Sequence, residues 1–129
     1  MGKRYLIDSN VIIDYTSNRL PDTGAALVEQ LFDADFVTSV VVKIEVLGFD
    51  DSLKKLAALE DLFSTAEVLP LDDVVTRQTI ALRRKHKRLR LGDAIIAATA
   101  QSRGLTVLTR NTDDFTMIEG LEVVNPHSV

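Results

Sequence analysis

Residues Tyr5–Tyr15 read YLIDSNVIIDY, an apolar run interrupted by Asp8-Ser9-Asn10 before hydrophobicity resumes. Tyr5-Leu6-Ile7 is short, apolar and partly β-branched, and it stops at turn-forming residues, as a buried strand of a parallel sheet does. Asp8 therefore stands directly past the carboxyl end of a strand. There it either caps a short helix starting near Asn10 or holds something positive, and the two roles are compatible.

Working outward, residues from about Pro21 to Phe32 place Ala25, Leu27, Val28, Leu31 and Phe32 at helical spacing, with Pro21 suited to a first turn. Phe36 and Val37 start a second short strand. The run SVVVKIEVLG at 39–48 fits two structures: Val40, Val42, Ile44 and Val46 alternate as in a strand, leaving Lys43 and Glu45 to solvent. As a helix it places Val40, Ile44 and Leu47 on one stripe and sets Glu45 among apolar neighbours, a costly place for a charge without a positive partner. Pattern leaves both open. Ser52–Phe63 is helical by its leucines, AEVLPL is a strand that Pro70 ends, and Asp72 caps a helix running into a basic segment. Gly92–Arg103 is an Ala-rich helix that Gly104 stops, LTVLT is a further buried strand, and LEVV a last short one. Strands alternating with helices predict a parallel α/β sheet covered on both faces, and no linker or repeat divides residues 1–129 into more than a single domain.

Composition narrows the chemistry. With 46% hydrophobic and 26% charged residues the chain has ordinary globular usage, and 129 residues suffice for a core of its own. The absence of cysteine excludes disulfides, thiolate zinc sites and cysteine nucleophiles, so that any metal must use oxygen or imidazole ligands. It also suits a reducing compartment. No basic leader precedes an apolar core and no apolar run approaches the ~18 residues of a membrane span, so a cytoplasmic protein without membrane contact is expected. The net charge of −4 hides a segregation: RRKHKRLR at 83–90 holds six of the fifteen Lys and Arg, leaving nine against nineteen acids elsewhere. His86 and His127 lack partners at ligand spacing and read as surface residues, and the scattered Tyr and Phe form no platform for stacking bases.

Open parallel sheets bind ligands beyond the carboxyl ends of their strands. That rule selects Asp8 after the first strand, and Asn111, Asp113 and Asp114 after LTVLT. Asp93, at the mouth of an apolar helix, also has the look of an N-cap. Carboxylates gathered in one pocket repel one another unless a divalent cation lies among them, and oxygen ligands favour the hard ions Mg²⁺ or Mn²⁺. Such ions suit phosphate chemistry. The basic run would then hold a phosphate backbone against the acidic pocket; as a bland alternative it is a solvated helix end, or a docking face for an acidic partner.

These residues resemble a known family, the PIN domain, and within it the small VapC-type ribonuclease toxins. YLIDSNVIIDY is similar to the family's apolar strand followed by D-[ST]-N, and TSVVVKIEVLG to its T-S-x(5)-E helix. RLRLGDAIIAATAQSRGLTVLTRNTDDF resembles its third acidic element with the trailing T-x-N-x-x-D-F, and the likeness spans nearly the whole chain in order and spacing. The resemblance implies a three-layer α/β/α sandwich with a five-stranded parallel sheet, and makes Glu45 helical. It implies that Asp8, Glu45 and Asp93 hold Mg²⁺ or Mn²⁺, with Asp114 as fourth acid and Asn111 or Asp113 as alternatives, while Asn10 and Thr109 support the site. The implied reaction is endonucleolytic hydrolysis of RNA by a metal-activated water, leaving a 5′-phosphate. Arg83, Arg84, Lys85, Lys87, Arg88 and Arg90 would bind the RNA. The implied partners are a cognate antitoxin that covers the pocket and a second copy of the chain.

Other classes fit less well. Haloacid-dehalogenase-like phosphatases need a second Asp where this chain has Asn10, and a receiver domain wants an acidic neighbour that Asp8 lacks. Neither G-x-G-x-x-G nor G-x(4)-G-K-[ST] occurs. The remaining alternatives are an RNA-processing nuclease that is no toxin, and a PIN-fold module that binds RNA or protein without cutting.

Overall fold

A computed structural model describes residues 2–129. Strand β1 (Tyr5–Ile7) is followed by α1 (Ser9–Thr16), α2 (Asp22–Ala34), β2 (Val37–Ser39), α3 (Val40–Leu47), α4 (Leu53–Phe63) and β3 (Glu67–Leu69). Then come α5 (Asp73–Lys85), α6 (Leu91–Arg103), β4 (Thr106–Leu108) and β5 (Val123–Val124), with short 3₁₀ turns at Thr112–Asp114 and Pro126–Ser128. Strand and helix alternate as the hydrophobic pattern predicts.

All hydrogen-bonded strand pairs are parallel: β1 with β4 (Tyr5 opposite Thr106), β4 with β5, and β2 with β3 (Val37 opposite Glu67). The expected five-stranded sheet is nevertheless corrected to two pieces, β1-β4-β5 and β2-β3. β1 and β2 are neighbours, but the buried Thr38 hydroxyl donates to the Ile7 carbonyl at 2.7 Å. A side chain thus takes an acceptor that a ladder N–H would otherwise use, and the backbone ladder is not closed at that seam.

Segment 40–47 is helical, which decides what alternation could not. The Ser39 hydroxyl accepts the Val41 amide at 3.1 Å as an N-cap, and Val42 and Val46, one turn apart, are the buried pair. Tertiary burial outweighs the modest helix propensity of valine. α6 is buried from Ala94 through Ala100, and these mostly small residues let α5 pack along it. Gly104 ends α6 in the left-handed region at φ 65°, where a Cβ would be strained. Tyr15, Phe32, Phe36 and Phe63 form a chain of ring contacts with centroids 5.1, 4.8 and 5.8 Å apart. These four rings serve the interior, whereas Phe49 is exposed at the pocket that holds Asp8.

Candidate active site

The carboxyl ends of β1 and β4 lie side by side. The Asp8 amide donates to the Leu108 carbonyl at 3.0 Å, which continues the ladder one step and sets Asp8 beside Thr109. Asp8 is buried and takes the capping role expected of it. Oδ1 accepts the Ser9 amide at 2.8 Å and caps α1, while Oδ2 accepts the Thr109 hydroxyl at 2.8 Å and the Asn10 amide at 3.2 Å. Asn10 also donates to Thr109 Oγ1 at 3.0 Å, so Asn10 and Thr109 orient the Asp8 carboxylate.

One open pocket of about 430 Å³ is lined by Asp8, Glu45, Asp93 and Asp114 together with Asn10 and Asn111. The acids come from the end of β1, the outer side of α3, the first turn of α6 and the 3₁₀ turn after β4. Asp93 is not an N-cap: that position belongs to Arg90, which makes no side-chain cap, and Asp93 is the third residue of the helix. Its carboxylate is left to the pocket. Asp113 is set apart, lining a smaller depression beside Asp93, Asp114, Arg88 and Arg90. Asn111 and Asp114 face the main pocket, and Thr109 lies buried behind it.

Mutual repulsion marks this pocket. Burial, then the charges of Asp8 and Asp114, push Asp93 up to about 6, against a weaker downward pull from Arg90. Glu45 is raised by burial and by Asp8 and Asp93, although its side chain also reaches solvent. Burial raises Asp8 as well, and the hydrogen bonds from Thr109, Ser9 and Asn10 counter it. Four carboxylates lining one pocket, with Glu45 and Asp93 raised by neighbouring charge and only oxygen donors supplied, fit a hard divalent cation, which would let them ionise together. Among the described residues no three acidic or histidine side chains are already closed into a metal cage, so binding would draw the carboxylates inward.

Basic residues surround the acids, not all of them from the basic run. Arg90 lines the pocket, and Arg88 lines the adjoining depression. Arg83, Arg84 and Lys87 instead border a separate shallow groove with Thr79, Ile80 and Leu91; Lys85 ends α5 exposed. Two pocket arginines escaped the sequence reading. Arg19 is turned back to the rim by Asn18, whose φ of 56° is a left-handed conformation that asparagine tolerates. Arg110 follows Thr109 and reaches the buried Asp14. His127, expected at the surface, is half-buried and pairs with the same aspartate at 2.9 Å. No sequence signal connects residues 14, 110 and 127, because the contact spans most of the chain.

A family model described as PIN domain matches residues 5–121. Ribonuclease VapC5 of Mycobacterium tuberculosis is 34% identical over 122 residues, which cover 89% of this chain and 87% of that protein. Among solved structures, a toxin–antitoxin complex from Klebsiella pneumoniae has a chain 31% identical, with a TM-score of 0.77, covering 95% of this chain and 97% of that one. A DNA-bound VapBC from Salmonella typhimurium is 26% identical with a TM-score of 0.78, covering 97% and 99%.

Proposed function

The chain belongs to the PIN domain family, and from that premise we propose that it is an endoribonuclease, the toxin of a toxin–antitoxin pair, acting with Mg²⁺ or Mn²⁺ on RNA. The observation that carries this reading is the convergence of Asp8, Glu45, Asp93 and Asp114, from four separate segments, on one pocket edged by Arg19, Arg90 and Arg110. Relatives named as ribonucleases and neighbours named as toxin–antitoxin complexes support both halves of it. The reading includes a cognate antitoxin over the pocket, a homodimer and a cytoplasmic place of action. Among the described residues no helix is long and apolar enough to cross a membrane.

Asp8 and Asp93 would hold the ion most firmly, with Glu45 and Asp114 completing the set of oxygen ligands. The bound ion would supply Lewis acidity toward a phosphodiester and the positive charge that keeps four carboxylates ionised. The chain's own contribution is orientation and charge. Thr109, Ser9 and Asn10 fix Asp8 through hydrogen bonds from three directions, so that its carboxylate need not reorganise during the reaction. The arginines offset the repulsion between an acidic pocket and a polyanion. In hydrolysis, water oxygen bonds to phosphorus, the bond to the 3′ oxygen breaks, and the 3′ oxygen takes up a proton as the 5′-phosphate is left.

Incubation of the purified chain with single-stranded RNA tests this. Cleavage should require Mg²⁺ or Mn²⁺, cease with chelator, and fall at least a hundredfold in Asp8→Asn, whose fold persists by circular dichroism. Cleavage at wild-type rate by that variant would remove the mechanism, and binding without cleavage by the wild-type chain would leave a non-catalytic RNA-binding module.

A further inference from the structure

Asp14 is an aspartate with only 2% of its side chain exposed, it is not a candidate for the metal, and it lies at the wall of the pocket. Burying a carboxylate is unfavourable unless charge and hydrogen bonds compensate it. Here they do: Arg110 Nη1 donates to both Asp14 oxygens at 2.8 and 2.9 Å, and His127 Nε2 donates to Oδ2 at 2.9 Å. The Arg110 backbone is held too, since its amide donates to Asn10 Oδ1 at 2.9 Å, and Asn10 is one of the residues that contact Asp8.

One terminal nitrogen of Arg110 serves Asp14, and 45% of the side chain remains exposed at the pocket. Among the described residues the rest of the planar fork has no hydrogen-bond partner and can meet an anion, and guanidinium matches phosphate oxygens in geometry as well as charge. Resting on the endoribonuclease reading, we infer that Arg110 is the residue of this site that grips an RNA phosphate, held in place for that task by Asp14 and His127. The two partners act through Arg110 and are positioning residues. His127 belongs to a C-terminal turn that is itself fastened down: the Thr23 hydroxyl donates to the Val129 carbonyl at 2.7 Å, and the Asn125 side chain accepts the His127 amide at 2.9 Å. The end of the chain thereby supports the reactive pocket.

The test measures cleavage of a fluorescent single-stranded RNA oligonucleotide by the full chain. Arg110→Gln should raise KM about tenfold with a smaller change in kcat, and should flatten the salt dependence of binding by about one phosphate contact. Because that variant leaves a buried carboxylate with His127 as its remaining partner, Asp14→Asn/Arg110→Gln is made beside it. The double variant restores a neutral amide pair and keeps the net charge of the wild type, so an equal loss cannot come from overall charge or from misfolding checked by melting. His127→Gln should raise KM several-fold alone and add nothing in the Arg110→Gln background, where there is no guanidinium left to position. A double variant that melts like wild type and keeps its KM and salt slope would overturn the role of Arg110 while the ribonuclease reading stood. A wild-type chain that neither binds nor cuts RNA would overturn both.

Discussion

At the scale of the residue, the chemistry rests on carboxylates kept from ionising freely. Asp93 is pushed up to about 6, above its ordinary 3.8, so its folded form favours the proton. The sign follows: this contribution to stability is complete below the unfolded value and is lost as pH rises through about 6. In metal-free protein, Asp93→Asn should therefore gain on wild type between about pH 4 and pH 7. After allowance for the partial exposure of Asp93 the gain is roughly 1 kcal/mol, read from chemical denaturation at each pH. Saturating Mg²⁺ should reverse the order at pH 7, because ligand binding stabilises the protein that retains the site. An equal pH profile for both proteins would mean that Asp93 does not feel its neighbours. Asp8 stood out in the sequence by its place after a strand, where loops collect, whereas position alone made Asp93 an N-cap, and it took the family likeness to select Asp93 and Asp114 for the site. Asp14, Arg19 and Arg110 were not legible there, since their places depend on a left-handed turn at Asn18 and on contacts across about a hundred residues.

At the scale of the element, caps and close approaches decide which way ambiguous segments fold. The valines of α3 alternate like a strand, and only the Ser39 cap with burial of Val42 and Val46 resolves them; family likeness had made Glu45 helical where periodicity could not. The division of the sheet was invisible in sequence, because the Thr38–Ile7 hydrogen bond at the seam joins residues 31 positions apart. Thr38→Val should cost about 1–3 kcal/mol by denaturant melting, as it leaves the buried Ile7 carbonyl without its donor. A smaller effect would show that the seam is held by packing alone. Gly24 marks a second close approach: a Cβ there would overlap the Pro126 carbonyl oxygen. Gly24→Ala should therefore lower stability by about 1–3 kcal/mol by forcing α2 away from the C-terminal turn. It should also raise KM for RNA, since His127 moves with that turn. Wild-type melting and KM would argue that the turn is free to shift.

At the scale of the whole molecule, the net charge of −4 conceals a segregation of basic from acidic residues. The basic run visible in the sequence divides in the fold: Arg90 lines the acidic pocket and Arg88 the depression beside it, whereas Arg83, Arg84 and Lys87 line a separate groove. Neutralising Arg88 and Arg90 should weaken RNA binding roughly tenfold and reduce its salt slope by about two contacts, with a smaller effect for Arg83 and Arg84. Unchanged affinity in both would assign the run to another partner. All of this depends on the carboxylates of four segments accepting a single ion. The most direct measurement is the anomalous difference map of a crystal soaked in Mn²⁺: the account predicts a peak bonded to Asp8 and Asp93, with Glu45 or Asp114 drawn toward it. A fully soaked crystal with no peak in this pocket, or with manganese bound only elsewhere, would contradict it.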